Sequence, residues 1–439
     1  MKNSVTVIGG GLAGCEAAHR LAGKGLSVTL CEMKPERRSP AHHSDDLAEL
    51  VCSNSLKAAR MSTAGGLLKA EMRLLGSLLL DVAERCAVPA GGALAVDRQQ
   101  FSRMVTREIE ANPNVKLIRG EVTRFPDGPA IIATGPLTSQ ALSEAISQKL
   151  GSGYLSFYDA AAPIIDAASI DRTVVFAAAR YGRGGDDYLN CPMDRDQYER
   201  FYDALIQGER APLKDFELGQ PKMYEGCMPV EVLAGRGRDA LRFGPLKPVG
   251  LTDPRTGKRP WAVVQLRQEN ADATLYNMVG FQTNLKFGEQ KRIFSLIPGL
   301  ENAEFVRYGV MHRNTFLDSP RLLDKTFALR GQEDICFAGQ ITGVEGYMAS
   351  AASGIIAAEQ LSRRLLRQEP LELPKETMLG ALCERTADQS ITDFQPMGAN
   401  MGLLPPLDVR IKDKQARYQA LAERSLAALE KALTTNPLA

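Results

Sequence analysis

Ser4-Val5-Thr6-Val7-Ile8-Gly9-Gly10-Gly11-Leu12-Ala13-Gly14 is the stretch that decides the fold. Ser4 to Ile8 is an apolar, β-branched run and predicts a buried strand. It breaks into three glycines, and a helical pattern follows from Cys15 to Gly23 with Ala17, Ala18 and Leu21 on one face. A second strand, Leu26 to Cys31, ends at Glu32. Strand, G-x-G-x-x-G at Gly9, Gly11 and Gly14, helix, strand and acid stand in the order a dinucleotide site requires. Gly9 permits the tight turn, Gly11 lets the backbone approach a pyrophosphate, and Gly14 lets helix and strand pack closely. The pyrophosphate would rest on the free N–H groups of that turn, Gly10, Leu12 and Ala13 included. Glu32 is placed to accept hydrogen bonds from a ribose, which favours FAD or NAD over NADP.

The chain has 439 residues, enough for two or three domains with real cores. Its 44% apolar and 24% charged residues are those of a soluble globular protein. No run is long and apolar enough to span a bilayer, so no membrane partner is expected. The strand at residue 4 leaves no room for a removable signal peptide, and a cytoplasmic location is expected. Eight cysteines without C-x-x-C pairs and four histidines without ligand spacing argue against a metal site and against a disulfide framework.

Further along, Met33 to Asp46 reads as a loop over the cofactor, and Val51-Cys52-Ser53-Asn54-Ser55 crowds short polar residues round a thiol. Met61 to Ala87 predicts one helix with a core face. Asp97 predicts an N-cap for a helix carrying Phe101, Met104, Val105 and Ile109. Gly128 to Gly135 predicts a strand ending in Ala-Thr-Gly. From about Pro136 the composition shifts to aromatic and Arg/Gly loops. Between Arg236 and Arg259 lie seven basic residues against two acidic ones, a local net charge of +5 flanked by Phe243 and Trp261. A solvated surface and a phosphate-backbone contact both fit that segment. The nucleotide pattern returns at Asp334 to Gln340, a strand ending in Ala-Gly, followed by Ile341 to Tyr347 and a small-residue helix to about Gln368. Two glycine-bearing helix starts, one at each end of the chain, favour FAD over NAD; Gly339, Gln340, Thr342, Gly343, Val344 and Tyr347 are its second set of candidate contacts. A tail helix is expected near Glu372 to Cys383 and another from about Lys412 to Leu433. The expected architecture is α/β: a Rossmann-type, glutathione-reductase-like FAD-binding domain in two parts, 1–165 and 326–439, with a large α+β domain inserted at 166–325.

Taken together, Val51-Cys52-Ser53-Asn54-Ser55, Tyr188-Leu189-Asn190-Cys191-Pro192-Met193, Glu225-Gly226-Cys227-Met228-Pro229, Phe281-Gln282-Thr283-Asn284-Leu285, His312-Arg313-Asn314-Thr315, Gly339 to Tyr347 and Gly402-Leu403-Leu404-Pro405-Pro406 carry a resemblance. With the N-terminal glycines they span nearly the whole chain. The sequence resembles the folate- and FAD-dependent tRNA (uracil-5-)-methyltransferases, the TrmFO or Gid family. It departs from the family pattern at Ala349, where a Glu is usual, and at Arg183-Gly184-Gly185, where the pattern is Lys-Gly-Glu-like.

The resemblance implies C5-methylation of the T-loop uridine of tRNA. Methylenetetrahydrofolate would give the carbon, reduced FAD would convert the transferred methylene to methyl, and NADH or NADPH would restore the flavin. Uracil C5 becomes nucleophilic once a thiolate adds to C6. The resemblance assigns that thiolate to Cys227 and a second functional thiol to Cys52, as the base at C5 or in control of the flavin. Tyr347 is a candidate stacking platform for the pterin, with a core aromatic as the other reading. The partner implied is the tRNA T-arm, its uracil turned out of the stack, and the protein is expected to be a monomer or weak dimer. The same chemistry on a 23S rRNA uridine, an FAD-binding tRNA-modification partner without methyl transfer, and a plain NAD(P)H:flavin oxidoreductase are the competing readings.

Overall fold

The computed structural model describes residues 4–39, 41–151, 154–182, 184–211 and 228–438. Cys227, the preceding Met223 to Gly226 and Arg183 lie outside the described residues.

The N-terminal strand Ser4–Ile8 sits inside a six-stranded sheet. The order is Ala328–Leu329, Gln332–Phe337, Ala130–Ile132, Ser4–Ile8, Ser27–Glu32, Val115–Arg119. Every pair is parallel except the one made by the Ala328–Leu329 edge. Val7 stands between Leu30 and Ile131, all three fully buried. Burial on both faces is why these strands read as continuous apolar runs. Ile335 pairs with Ala130, so chain from both ends of the sequence builds one sheet.

Two helices press together behind the glycine turn, Leu12–Gly23 and Tyr347–Leu365. Their backbones touch. A Cβ on Gly354 would lie 2.2 Å from the Ala13 carbonyl oxygen. Nothing but glycine fits there at this helix spacing, and the contact sets the two helix starts side by side.

The chain leaves this sheet along Tyr154–Ala160 and returns along Met311–Leu317, and the two strands pair antiparallel over their whole length. Between them lies an antiparallel sheet in the order Phe176–Ala177, Tyr188–Met193, Ala262–Gln268, Leu275–Met278, Ile164–Asp166, Phe305–Arg307. It has a separate apolar core that includes Phe201, Phe281 and Phe294. The core of the parallel sheet draws instead on residues such as Val7, Leu79, Phe337 and Leu429.

Three local expectations change. The single helix over Met61 to Ala87 is two, Ala64–Leu74 and Leu78–Arg85. Gly76 adopts φ +71° between them, and Ser77 starts the second helix by accepting from the Leu80 N–H at 3.2 Å. The tail helix runs Met378–Ala387, later than Glu372 to Cys383, because Pro374 precedes a Thr377 cap. The strand over Gly128 to Gly135 shortens to Ala130–Ile132 and then turns away toward Gly135, at φ +66°. Asp97 caps as expected, accepting from the N–H groups of Gln99 and Gln100.

Helix propensity alone has Gly354→Ala stabilise the protein by up to about 1 kcal/mol. The backbone contact predicts the reverse, a loss of about 1–3 kcal/mol in urea unfolding. A stabilised Gly354→Ala variant would contradict the close approach.

Candidate functional site

The carboxyl ends of the parallel strands open on a cleft of about 1020 Å3, its mouth included. That is the place where open α/β sheets hold ligands. Gly9, Gly11, Leu12, Ala13 and Glu32 line it from the N-terminal part, and Gly339, Gln340 and Tyr347 from the C-terminal part. These eight sequence-derived candidates meet in one space. The other five support its wall. Gly10 donates its N–H to Glu32 Oε2 at 2.8 Å. A Cβ on Gly14 would fall 1.8 Å from the Gly9 oxygen, so Gly14 is needed for packing. Thr342 donates to the Gly339 carbonyl at 2.8 Å. Gly343, at φ +75°, leaves room for the Phe394 ring, and Val344 is buried beside Met397.

Gly9 takes φ +104° and packs on Ala133. Gly11 differs: a Cβ there meets nothing within 4 Å. The space it faces is the cleft. Among the described helices of ten or more residues, only Leu12–Gly23 and Tyr347–Leu365 begin without a side-chain cap. Both starts face this cleft, so unpaired N–H groups and two positive helix ends converge on it. That arrangement suits an anionic, phosphate-bearing ligand. Glu32 already accepts from Gly10 and from the Lys34 N–H at 3.0 Å. Its carboxylate has lone pairs left for ribose hydroxyls.

His42, Glu49 and the Thr134–Ser139 turn also line the cleft and were not singled out from sequence. Burial, then the nearby Lys34 charge, lowers the His42 pKa, which keeps the imidazole neutral at pH 7. Lys34 is itself buried and pairs with Glu49 at 3.4 Å.

Cys52 is the one cysteine of those described that is not buried. Burial pushes the thiols of Cys15, Cys191, Cys336 and Cys383 up, and buried thiols of that kind are inert. The loop around Cys52 is fixed by its backbone. The Tyr347 hydroxyl accepts from the N–H groups of Cys52 at 2.8 Å and Ser53 at 3.2 Å. Arg307 donates to the Val51 oxygen, and Arg98 to the Leu50 oxygen at 2.7 Å. Arg267 donates to Asn54 Oδ1 at 2.9 Å and Ser53 Oγ at 2.7 Å. Asn54 in turn donates to the Gln268 oxygen at 2.9 Å. Three guanidiniums therefore surround one thiol-bearing loop. Burial lowers the pKa of Arg267, and burial together with the Arg98 charge lowers that of Arg307. For Arg98 burial acts the same way, but Glu269, 2.5 Å from its Nε, and then Tyr347 and Cys52 outweigh it and raise the pKa. Burial, then Cys52, holds the Tyr347 pKa well above the ordinary phenol value. Its hydroxyl serves the Cys52 loop while its ring lines the cleft.

Fold and cleft together define a Rossmann-type protein of the FAD-binding class with an inserted α+β sheet domain. A family model described as glucose inhibited division protein A matches residues 4–369. The chain is 55% identical to the methylenetetrahydrofolate–tRNA-(uracil-5-)-methyltransferase TrmFO of Halalkalibacterium halodurans over 97% of this chain and 98% of that one. It is 58% identical to the TrmFO of Desulforamulus reducens over 98% and 97%. The solved structure of Aquifex aeolicus GidA superposes with a TM-score of 0.71 at 16% identity, covering 98% of this chain and 73% of that one, and supports the fold. The chain belongs to the TrmFO family.

Tyr347→Phe removes the acceptor of two backbone N–H groups. Leaving them unpaired costs about 1–3 kcal/mol locally. The Cys52 and Ser53 amides should then exchange hydrogen roughly tenfold faster or more in mass-resolved exchange, while amides of the Leu12–Gly23 helix stay protected. Unchanged exchange at Cys52 and Ser53 would contradict the assigned bond.

Proposed function

We propose that this protein methylates C5 of a uridine in tRNA, taking the one-carbon unit from methylenetetrahydrofolate, with FAD held in the cleft between the two uncapped helix starts. The observation that carries the reading is the convergence of both glycine-bearing helix N-termini on one cleft, beside a cysteine loop ringed by arginines. In this scheme Gly11 would leave room for the FAD pyrophosphate, Glu32 would hold the adenosine ribose, and Gly339 with the start of the Tyr347–Leu365 helix would hold the rest of the cofactor. Bound and reduced, FAD supplies the electrons that turn the transferred methylene into methyl. NADH or NADPH is the source of those electrons.

The chain's own residues have the following work. Cys227 Sγ bonds to uracil C6, which makes C5 the nucleophilic carbon, and the bond breaks when the C5 proton has left. Cys52 is proposed as the second thiol, which takes that proton or acts on the flavin. The positive charges of Arg98, Arg267 and Arg307 favour an anion on its loop. The reacting base belongs to the T-loop, and it must be unstacked to reach a cleft at the carboxyl ends of the parallel strands. The domain division 1–165, 166–325 and 326–439 gives the RNA the middle unit and the flavin the outer two. The protein is proposed to act as a monomer or weak dimer.

Purified, flavin-loaded protein should transfer label from methylene-labelled folate to a T-arm minihelix, and not to a 23S rRNA fragment. Label on the rRNA fragment alone would favour the alternative substrate, and label on neither would overturn the reading. Cys227→Ala should abolish transfer while the flavin absorbance persists; retained transfer would remove Cys227 as the nucleophile. Gly11→Val places carbon where the pyrophosphate would lie, at an extended φ of −77° that valine tolerates. Its unfolding free energy should stay within about 0.5 kcal/mol of the parent, with bound flavin lost from the absorbance spectrum. Full flavin occupancy in Gly11→Val would contradict the placement.

A further inference from the structure

At the Ala262 end of the Ala262–Gln268 strand, the end opposite Arg267, a second depression has about 1870 Å3 of space, its open mouth included. Six basic side chains line it against two acidic ones. Both carboxylates are already engaged. Asp194 caps the Arg195–Gln207 helix, accepting from the Gln197 N–H at 2.8 Å. Asp253 accepts from Arg255 through its backbone N–H at 2.9 Å and its guanidinium at 2.9 Å. Among the described residues, Lys247, Lys258, Arg259 and Arg195 have no carboxylate partner, and all four are exposed. With both acids engaged, the groove keeps an excess of positive charge open to a polyanion.

The groove is built rather than loose. Arg180 donates to the backbone oxygens of Lys247 and Val249 and, through Nε at 2.7 Å, to Gln265. That anchors the Lys247 segment to the Ala262–Gln268 strand. A tight turn, with the Gly257 N–H donating to the Asp253 oxygen at 2.8 Å, presents Lys258 and Arg259. The Arg242 guanidinium lies 3.6 Å from the centre of the Trp261 ring. Phe243 projects with 84% of its surface exposed, the largest value among the large apolar side chains described. An aromatic left open amid unpaired cations matches what single-stranded nucleic acid needs, a charged track and a stacking face.

The distance to the chemistry follows from the strand. Trp261 opens the groove end and Arg267, which holds Ser53 and Asn54, lies at the other end of the same strand. Six residues of extended chain span roughly 20 Å. We propose that this groove holds the phosphate backbone of the RNA substrate, with Phe243 stacking on an unpaired base, about 20 Å from the end of the strand that holds the Cys52 loop. The proposal rests on the reading that the substrate is RNA. It adds a second, remote contact that fixes where the RNA lies without touching the reacting uracil.

The test uses the flavin-loaded full chain and a fluorescent tRNA transcript, with anisotropy read between about 50 and 200 mM salt. The triple variant K247A/K258A/R259A should bind about tenfold or more weakly, with the slope of log affinity against log salt reduced by about 2–3. Phe243→Ala should weaken binding with the salt slope unchanged. All these side chains are exposed, so the flavin spectrum and thermal unfolding of the variants should match the parent and report that the fold is intact. Parent-like affinity and salt slope in the triple variant would overturn the groove while leaving methyl transfer standing. A parent protein that binds the transcript and transfers no label from folate would instead remove the reading beneath it.

Discussion

The Arg267 guanidinium is the joint on which this molecule depends. It is 7% exposed and comes from the end of a strand in the inserted sheet. Removing such a charge from water is costly unless hydrogen bonds replace the lost solvent. Asn54 and Ser53 supply them, and they stand two residues or fewer from Cys52. Asn54 is fully buried and returns its amide to the backbone of Val96, Gln268 and Glu269. Removing either partner strands the other, so the inserted sheet and the cysteine loop hold one geometry together.

The cleft is joined to that seam through Tyr347. Its ring borders the space proposed for the flavin, and its hydroxyl closes the Cys52 loop. The residue stands at the start of a helix that lies in backbone contact with the first helix at Gly354 and Ala13. A single close approach thus aligns two positive helix ends and sets the tyrosine beside the loop. Glycines act here by absence of bulk: Gly354 for helix spacing, Gly14 for the turn, and Gly11 by leaving the cleft open. The inserted sheet then carries the same logic outward, one end of the Ala262–Gln268 strand at the seam and the other at the basic groove.

Much of the cleft was legible in sequence because its signals are local. The glycines, the flanking strands and Glu32 sit within one βαβ unit, and each glycine has a steric reason that survives inspection of its neighbours. The Gly339–Tyr347 half was legible for the same reason, though its helix begins only at Tyr347, after a short turn at Gln340–Thr342. The seam was not legible. Arg98 follows a helix cap and Arg307 ends a short strand, so each alone looks like a surface charge. Arg267 gave one signal: a charge at the end of the buried run Ala262-Val263-Val264-Gln265-Leu266. Its partner, Asn54, is more than two hundred residues away in sequence, and no periodicity connects them. The break at Gly76-Ser77 was missed because apolar spacing continues across it; the glycine and the serine cap were the available warning.

A double-mutant cycle on Arg267→Ala and Asn54→Ala, followed both by unfolding free energy and by label transfer from folate to tRNA, tests the joint most directly. The two changes should be strongly non-additive, with a coupling above about 1 kcal/mol in stability, and either single variant should already lose most transfer. Effects that add to within about 0.5 kcal/mol, with transfer intact in the Arg267→Ala protein, would contradict the role given to this seam.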